Sequence, residues 1–218
     1  MAHVVSVNVG APREIGAKGG LTGIDKRPST TPVEVMPPGP SQSGLAGDAI
    51  CDTDNHGGPD QAVYAYARED LDWWEHELGM ALAGGTFGEN LTTVDLDVTG
   101  AIVGERWRIG REVVLEVTVP RIPCGTFRTW MGRPGWVKAF TRRAAPGAYL
   151  RVLAPGPIAA GDAIEVDFRP AHDVTIGMVF RALTLERDLL PRLLDAGDHL
   201  VDDARQRALS GRQFSLGF

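Results

Sequence analysis

Cys124 is the residue whose type and position point most directly to chemistry. It is one of two cysteines and closes the sequence PRIPC at residues 120–124, after a run typical of a β-strand. Pro120 and Pro123 stiffen the backbone, so the sulfur should be held in a fixed direction. A positioned thiolate serves as a nucleophile or a metal ligand, and the cation of Arg121 favours that charged form. The alternative is a small apolar side chain buried in a turn of the core.

A second polar cluster surrounds a pair of glycines in the sequence HGGPDQAVYAY, which begins at residue 56. Gly57 and Gly58, followed by a proline, form a tight turn whose backbone N–H groups can approach a ligand closely. The polar side chains around this turn are those of His56, Asp60 and Gln61. The pattern indicates a loop that binds a small molecule, or else a turn whose polar groups bond only to the loop backbone.

Two further clusters carry groups that suit small ligands. The sequence FGENLTT at residues 87–93 contains Asn90, whose amide donates and accepts at once and can read the edge of a heterocycle. Lys26 and Arg27 lie in GIDKRP at residues 23–28, where adjacent cations on a constrained loop suit a phosphate or a carboxylate. The simpler interpretations are a glycine-rich entry into a strand and a solvated basic pair.

Composition excludes several classes of protein. A chain of 218 residues forms one larger domain, or one domain with an appendage. The formal net charge of −6, without a long basic run, argues against binding of a nucleic-acid polymer or of an anionic membrane. Two cysteines in unlike surroundings argue against a disulfide framework and favour a reducing compartment. Because the chain starts without a basic region and has no membrane-spanning apolar stretch, we expect a soluble, cytoplasmic protein.

Alternating apolar residues predict the strands that must position these clusters. An opening strand ends at Gly10, and a loop-rich stretch with one short strand follows it. The other predicted strands lie at residues 31–36, 107–109, 113–119, 149–153 and 163–168. Short strands joined by glycine turns are typical of a β-barrel. We therefore predict a mainly β fold, organised as a barrel with a few helices.

Helical spacing appears once before the last strand. Leu71, Trp74 and Leu78 recur at intervals of three and four residues. Gly79 is suited to end a helix because it adopts positive φ at little cost. The pattern predicts an amphipathic helix over residues 68–78 that packs on the sheet.

After Pro170 the pattern changes from strands to short helices, and Gly197 and Gly211 are suited to end two of them. The three apolar faces cover residues 176–183, 189–194 and 201–208. We therefore divide the chain into a barrel domain at residues 1–170 and a C-terminal three-helix segment at residues 171–218. A unit of this size buries little by itself, so we expect it to dock on the barrel or on a partner. Its removal should leave the barrel folded.

In their order along the chain, the four clusters resemble the motifs of the MOSC family, the molybdenum cofactor sulfurase C-terminal domains. They are most similar to its bacterial YiiM-like branch. The resemblance continues through GAYLRVL at residues 147–153 into the helical tail and covers nearly the whole chain. It implies a β-barrel with a pocket for the molybdenum cofactor, in which Cys124 completes the coordination of the metal. A soft thiolate suits such a centre.

The resemblance also implies roles for the other candidates. Lys26 and Arg27 would favour the phosphate of the pterin, and Arg121 would serve the phosphate or the substrate. The residues that would line the pterin or the substrate side are His56, Gly57, Gly58, Asp60, Gln61 and Asn90. Asn55 stands where many relatives are expected to carry histidine, and Cys51 lies just before this loop. The substrate side should therefore differ in detail here.

The branch implies a molybdenum-dependent reductase of N-hydroxylated compounds, such as hydroxylamino-purines. The catalytic residues would be Cys124, His56 and Asn90. Since the chain has no flavin or iron–sulfur signature, the electrons would come from a separate protein. One alternative is a sulfur carrier that holds a persulfide on Cys124 for the assembly of a metal–sulfur cluster. Another is a non-catalytic binding module whose helical tail docks a partner.

Overall fold

The computed structural model describes residues 1–16, 20–39, 42–53 and 56–216. Its strands are β1 (His3–Val9), β2 (Arg13–Glu14), β3 (Leu21–Thr22), β4 (Arg27–Pro28), β5 (Val33–Val35), β6 (Val63–Ala67), β7 (Leu91–Val94), β8 (Arg106–Ile109), β9 (Val113–Pro120), β10 (Ala148–Ala154), β11 (Gly156–Ile158) and β12 (Ile164–Phe168). Its α-helices are α1 (Arg68–Leu78), α2 (Gly125–Met131), α3 (Trp136–Arg143), α4 (Ile176–Thr184) and α5 (Asp202–Ser210). Two 3₁₀ helices cover Pro59–Gln61 and Arg187–His199.

Eight strands form one sheet in the order β12-β8-β9-β10-β6-β7-β1-β4. All neighbours are antiparallel except β6 and β7, which run parallel. The N–H of Val4 donates to the carbonyl of Asp162, and the N–H of Ile164 donates to that of Ala2, both at 2.9 Å. These bonds link the start of β1 to the start of β12. Within the described ranges no closed ladder is found, so closure into a barrel stays a prediction.

The strands and the helix predicted before residue 170 are confirmed in this sheet-rich fold. The centre of the sheet is β6, which lies between β10 and β7. Its five residues are all buried because Val63, Ala65 and Ala67 pack in one hydrophobic cluster, and Tyr64 and Tyr66 pack in a second, aromatic one. Helix α1 follows β6 directly, buries Leu71 and Trp74, and ends at Gly79 with φ 64°. The backbone thus turns from the central strand into the helix that covers one side of it.

Helices α2 and α3 lie between β9 and β10, where the sequence analysis predicts no helix. Both helices have about two turns. Gly132 follows α2, and Gly135 precedes α3. Their buried aromatic residues pack edge to face, with Phe127 and Phe140 at 5.1 Å between ring centroids. Trp136 packs against Trp74 of α1 at 4.7 Å. This second, aromatic core lies beneath the residues that follow β9.

The C-terminal segment has three helical parts, as predicted, but the middle part is a 3₁₀ helix rather than an α-helix. Pro191 lies inside it and has no N–H to donate. Gly197 interrupts the helical geometry with φ 55°, and Gly211 ends α5 with φ 64°. Of the described helices, none combines the length and the apolar character that a membrane crossing needs.

The C-terminal segment and the sheet share one hydrophobic core. Val179, Leu190 and Leu193 are buried in the same cluster as Trp107 and Leu115 of the sheet. A bridge between the residue that caps α4 and the chain before β8 joins the backbones of the two parts as well. The segment therefore docks on the sheet, which is one of the two arrangements expected for it, and the folding of residues 1–170 alone stays a prediction. Deleting the segment would expose the core.

Replacing Leu193 with alanine should lower the free energy of unfolding of the whole chain by about 2 to 4 kcal/mol, because the side chain is fully buried. Leu209→Ala is the matched control, since that leucine is 63% exposed on the same segment. It should change the free energy by less than about 0.5 kcal/mol. Urea unfolding followed by tryptophan fluorescence measures both. An unfolding midpoint of Leu193→Ala equal to that of the parent would show that the segment does not stabilise the rest of the chain.

Candidate functional site

A cavity of about 400 Å³ opens where the loops that precede β4 and β6 meet the chain that leaves β9. The residues that line it are Leu21, Thr22, Gly23, Ile24, Lys26, Ser43, Ala49, Ile50, Cys51, Asp52, His56, Gln61, Tyr64, Gly88, Asn90, Arg121, Cys124, Thr126 and Tyr149. Its size and its mixture of apolar walls with a few polar groups suit a small molecule or a cofactor. Six predicted residues line it, namely Lys26, His56, Gln61, Asn90, Arg121 and Cys124.

Cys124 lies at the junction between β9 and α2. Its backbone is extended, with φ −118°, and its carbonyl accepts the N–H of Arg128 at 3.0 Å. Burial raises the pKa of the Cys124 thiol, but His56, Arg121 and the N–H of Phe127 outweigh it and lower the pKa to about 6. The half-buried sulfur is therefore mostly a thiolate at neutral pH.

Arg121 is a buried cation beside this thiolate, with only 5% of its surface exposed. Its guanidinium lies 4.0 Å from the ring centre of Phe127, and one terminal nitrogen donates to the carbonyl of Phe87. Burial alone would lower the pKa of Arg121, but Tyr64, Cys124 and other neighbours raise it overall. Its Nε has no hydrogen-bond partner within the described part of the chain. Arg121 thus has an unused N–H that a bound anion can accept.

Lys26 is a second buried cation, and Asp48 fixes its position. The Lys26 Nζ bonds to one carboxylate oxygen of Asp48, which also accepts the N–H of Gly10 at 2.8 Å. The other carboxylate oxygen accepts the side-chain amide of Asn90 at 2.9 Å. Burial lowers the pKa of Lys26, and the charge of Asp48 opposes this shift. The sequence analysis missed Asp48 because it lies in a loop without periodicity.

The side chain of Asn90 bonds to the protein. Its Oδ1 accepts the N–H of Tyr64 at 3.1 Å, and its Nδ2 donates to Asp48 and, at 3.3 Å, to the carbonyl of Asn8. Reading a heterocycle, as predicted, would require these bonds to break. In this geometry the side chain of Asn90 instead links β6 and β1 to the Lys26–Asp48 pair through hydrogen bonds.

Glu89 stabilises the turn before β7. Its fully buried carboxylate accepts the N–H groups of Gly85 at 2.6 Å and Phe87 at 2.9 Å, and the hydroxyl of Thr92 at 3.1 Å. Gly85 has φ 87°, and a Cβ there would lie 2.5 Å from the carbonyl of Lys26. Only glycine fits this close approach. The turn thus supports both Lys26 and the carbonyl of Phe87 that Arg121 contacts.

Arg27 does not line the cavity. Its side chain is 73% exposed, and its Nε pairs with Asp25 at 2.8 Å. Neighbouring side chains in an extended chain point to opposite sides, so Lys26 and Arg27 cannot both face the same pocket. The predicted basic pair is therefore divided between the cavity and the surface.

The glycine turn after residue 55 contributes unequally to the cavity. His56 and Gln61 line it, whereas Asp60 accepts two bonds from Arg151, at 2.5 and 2.9 Å, and is absent from the lining. The two glycines have φ 89° and 80° and shape the turn without lining the cavity. Asn55 lies outside the described residues. The side-chain oxygen of Gln61 is buried and has no partner among the residues described, so it can accept a bond from a ligand.

Cys51 lines the same cavity as Cys124, but its chemistry differs. Most of the residue is exposed, and the partial burial of its thiol raises the pKa of that group. Cys124 is therefore the acidic thiol of the two. Across the described ranges, no group of three or more histidine, cysteine, aspartate or glutamate side chains is placed to hold a metal ion.

Comparison with known proteins agrees with the ordered motifs. The family model of the MOSC domain matches residues 52–165, which include both His56 and Cys124. The uncharacterized protein YflK of Bacillus subtilis is 33% identical over 175 residues, covering 79% of this chain and 76% of that protein. Protein YiiM of Escherichia coli is 30% identical over 181 residues, covering 79% and 80%.

A third relative and a solved structure extend the comparison. A protein of Gibberella moniliformis named "Reductase" is 30% identical over 178 residues, which are 78% of this chain and 32% of that longer protein. The crystal structure of YiiM from Geobacillus stearothermophilus has a TM-score of 0.78 at 28% identity and covers 97% of this chain and 99% of its own. The family model spans just over half of this chain. The chain therefore belongs to the MOSC domain family.

Proposed function

We propose that this protein is an oxidoreductase that binds the molybdenum cofactor at Cys124 and reduces N-hydroxylated compounds, such as hydroxylamino-purines. One observation carries the proposal: a thiol with a pKa of about 6 opens into a cavity of about 400 Å³ beside the buried cation of Arg121. Family membership favours the cofactor. The name of the Gibberella moniliformis relative favours the class of reaction.

The lining residues fit the cofactor chemically. Cys124 offers one soft, deprotonated sulfur ligand, which suits a molybdenum ion that a pterin dithiolene already holds. Lys26 and Arg121 offer positive charge for the phosphate, and the unused Nε of Arg121 offers a donor. We therefore assign the phosphate to these two residues rather than to Lys26 and Arg27. When bound, the cofactor supplies the redox chemistry.

The chain's own residues position the substrate and handle protons. Reduction of an N–OH group to N–H and water consumes two electrons and two protons. His56 lines the cavity next to Cys124 and can hold a proton at a ring nitrogen for the departing oxygen. The free oxygen of Gln61 can accept an N–H or O–H of the substrate. Asn90 holds the cavity wall in place through its bonds to Asp48 and Tyr64.

A second candidate function uses the same thiol. An acidic cysteine also accepts sulfane sulfur from the persulfide of a donor protein, whose S–S bond breaks and leaves a thiol. Cys124 can therefore carry a persulfide for the assembly of a metal–sulfur cluster. The two functions differ in what the purified protein contains. The reductase holds molybdenum, whereas the carrier holds a sulfane sulfur that cyanide releases. The barrel around the cavity and the cytoplasmic location are parts of the proposal as well.

The thiol of Cys124 should titrate near pH 6. In Cys51→Ser, which leaves Cys124 as the one thiol, the rate of alkylation by iodoacetamide should rise with pH around a midpoint of about 6. In Cys124→Ser, the remaining Cys51 should show a midpoint above its ordinary value, because burial raises its pKa. Because the folded state favours the thiolate of Cys124, this ionisation stabilises the fold at high pH. That contribution disappears as the pH falls through about 6. Equal midpoints for the two variants would contradict the assignment.

Cys124→Ser should abolish reductase activity in protein loaded with cofactor, because a serine oxygen is harder and far less acidic than a thiolate sulfur. The substitution is nearly isosteric, so the thermal unfolding midpoint should stay close to that of the parent. Reduction of a hydroxylamino-purine with dithionite and methyl viologen as electron source measures the activity. Activity near the parental level would refute the role of Cys124 as a metal ligand.

Lys26→Met should lower the retention of the cofactor, with a loss of about 1.5 to 3 kcal/mol of binding free energy if the phosphate contact is charge-assisted. Arg27→Ala is the matched control, and it should retain the cofactor because Arg27 lies outside the cavity. Molybdenum and pterin contents of proteins purified from a cofactor-producing host measure retention. Equal losses in the two variants would contradict the division between Lys26 and Arg27.

A further inference from the structure

The charges of this chain are distributed unevenly around Cys124. The chain contains 28 acidic residues, and none of them lies between residues 117 and 161. The same stretch contains seven of the 22 basic residues. It comprises the end of β9, helices α2 and α3, and the whole of β10 and β11. An acidic protein thus carries a local excess of positive charge on the elements next to its candidate site.

Three of these seven cations are buried or paired with a carboxylate. Arg121 is buried, Arg143 pairs with Asp70 at 3.0 Å, and Arg151 pairs with Asp60 at 2.5 Å. The other four are exposed, and no ion pair with a carboxylate is found for them among the described residues, although Arg133 donates to the carbonyl of Leu78 at 3.1 Å. These four, which we call the basic face, are Arg128, Arg133, Lys138 and Arg142. Their charge is available to a partner.

The basic face begins close to Cys124. The N–H of Arg128 donates to the carbonyl of Cys124, which places the two residues about one turn apart, or about 6 Å along the helix. Lys138 and Arg142 are also one turn apart, on the exposed side of α3. The opposite side of α3 is buried in the aromatic core with α2. The basic face therefore lies on α2, which follows Cys124 directly, on α3, which packs with α2 in the aromatic core, and on the turn between them.

We propose that the basic face docks an acidic protein that carries one electron at a time to the site of Cys124. This inference rests on the proposed function, since a reductase without a flavin or iron–sulfur motif of its own needs an external donor. Two molecules of reduced carrier each lose one electron, and with two protons these convert one N–OH group to N–H and water. Attraction between opposite charges speeds such encounters and orients them.

The overall charge favours a protein partner over a nucleic acid. An extended polyanion would also meet the rest of this chain, whose formal net charge is −6 in total. A small acidic carrier contacts only the face itself. The proposal thus assigns partner docking to α2 and α3 rather than to the C-terminal segment.

Binding of two acidic carriers, a plant-type [2Fe–2S] ferredoxin and a flavodoxin, tests the proposal without any need for activity. The parent should bind at least one of them at low salt and lose it at high salt. Lys138→Glu/Arg142→Glu should bind at least about tenfold more weakly. The control is Arg111→Glu/Arg212→Glu, which makes the same change of charge at two exposed arginines outside the face, and it should bind like the parent. Unfolding midpoints show that each variant is folded.

Three results would overturn the proposal: no salt-sensitive binding by the parent to either carrier, equal weakening in the two double variants, or tighter binding of duplex DNA than of the carriers at the same salt. Dithionite-driven activity of the parent is measured in parallel. If that activity is absent while the face still binds the carriers, the proposed reaction is wrong but the docking surface is right. If activity is present and binding is not, only the docking surface is wrong.

Discussion

The burial of the Arg121 guanidinium beside the Cys124 thiol is the constraint on which the site depends. A cation that is 5% exposed loses most of its hydration, and the fold must replace it. The rings of Phe127 and Tyr64, the carbonyl of Phe87 and the negative charge of Cys124 all contribute. Burial raises the pKa of the thiol, but the hydrogen bond of His56 and this attraction to Arg121 outweigh it and lower the pKa to about 6. The cation and the thiolate therefore stabilise each other's charged state.

This pair explains why the aromatic core lies where it does. Phe127 lies in the first turn of α2, Tyr64 belongs to the central strand β6, and Phe87 lies in the turn that Glu89 stabilises. On the other side of the cavity, Asp48 and Asn90 hold Lys26 with bonds that reach β1 and β6. Each charged group at the cavity thus depends on backbone from several elements. Strands of the sheet and the loops between them thus hold the two buried cations, Lys26 and Arg121, in position.

Much of the fold could be predicted because its signals are local. Predicted strands such as β9 alternate apolar residues with others, and α1 shows its period and its glycine stop within twelve residues. The central strand β6 was not predicted, and it is buried along its whole length without alternation. Helices α2 and α3 were missed because they have only seven and eight residues, too few for a convincing period. The boundary at residue 170 is a different case, because it stays a prediction. A change of pattern marks new secondary structure, but only packing decides whether the parts share a core.

The site could be predicted in part. The order of the four motifs identified Cys124, Arg121, Lys26, His56 and Gln61, all of which line one cavity. The sequence could not separate Lys26 from Arg27, because the direction of each side chain depends on register in the fold. Asp48 carried no signal because its partners are 22 and 42 positions away. Long-range bonds of this kind become visible only in three dimensions.

X-ray absorption spectroscopy at the molybdenum edge tests the role of Cys124 most directly. The protein is purified from a cofactor-producing host, and Cys124→Ser is prepared in the same way. If Cys124 binds the metal, the parent contains molybdenum with one more sulfur neighbour than the cofactor itself supplies, and the variant lacks that neighbour. A parent without molybdenum, or an equal number of sulfur neighbours in the two proteins, would contradict the assignment.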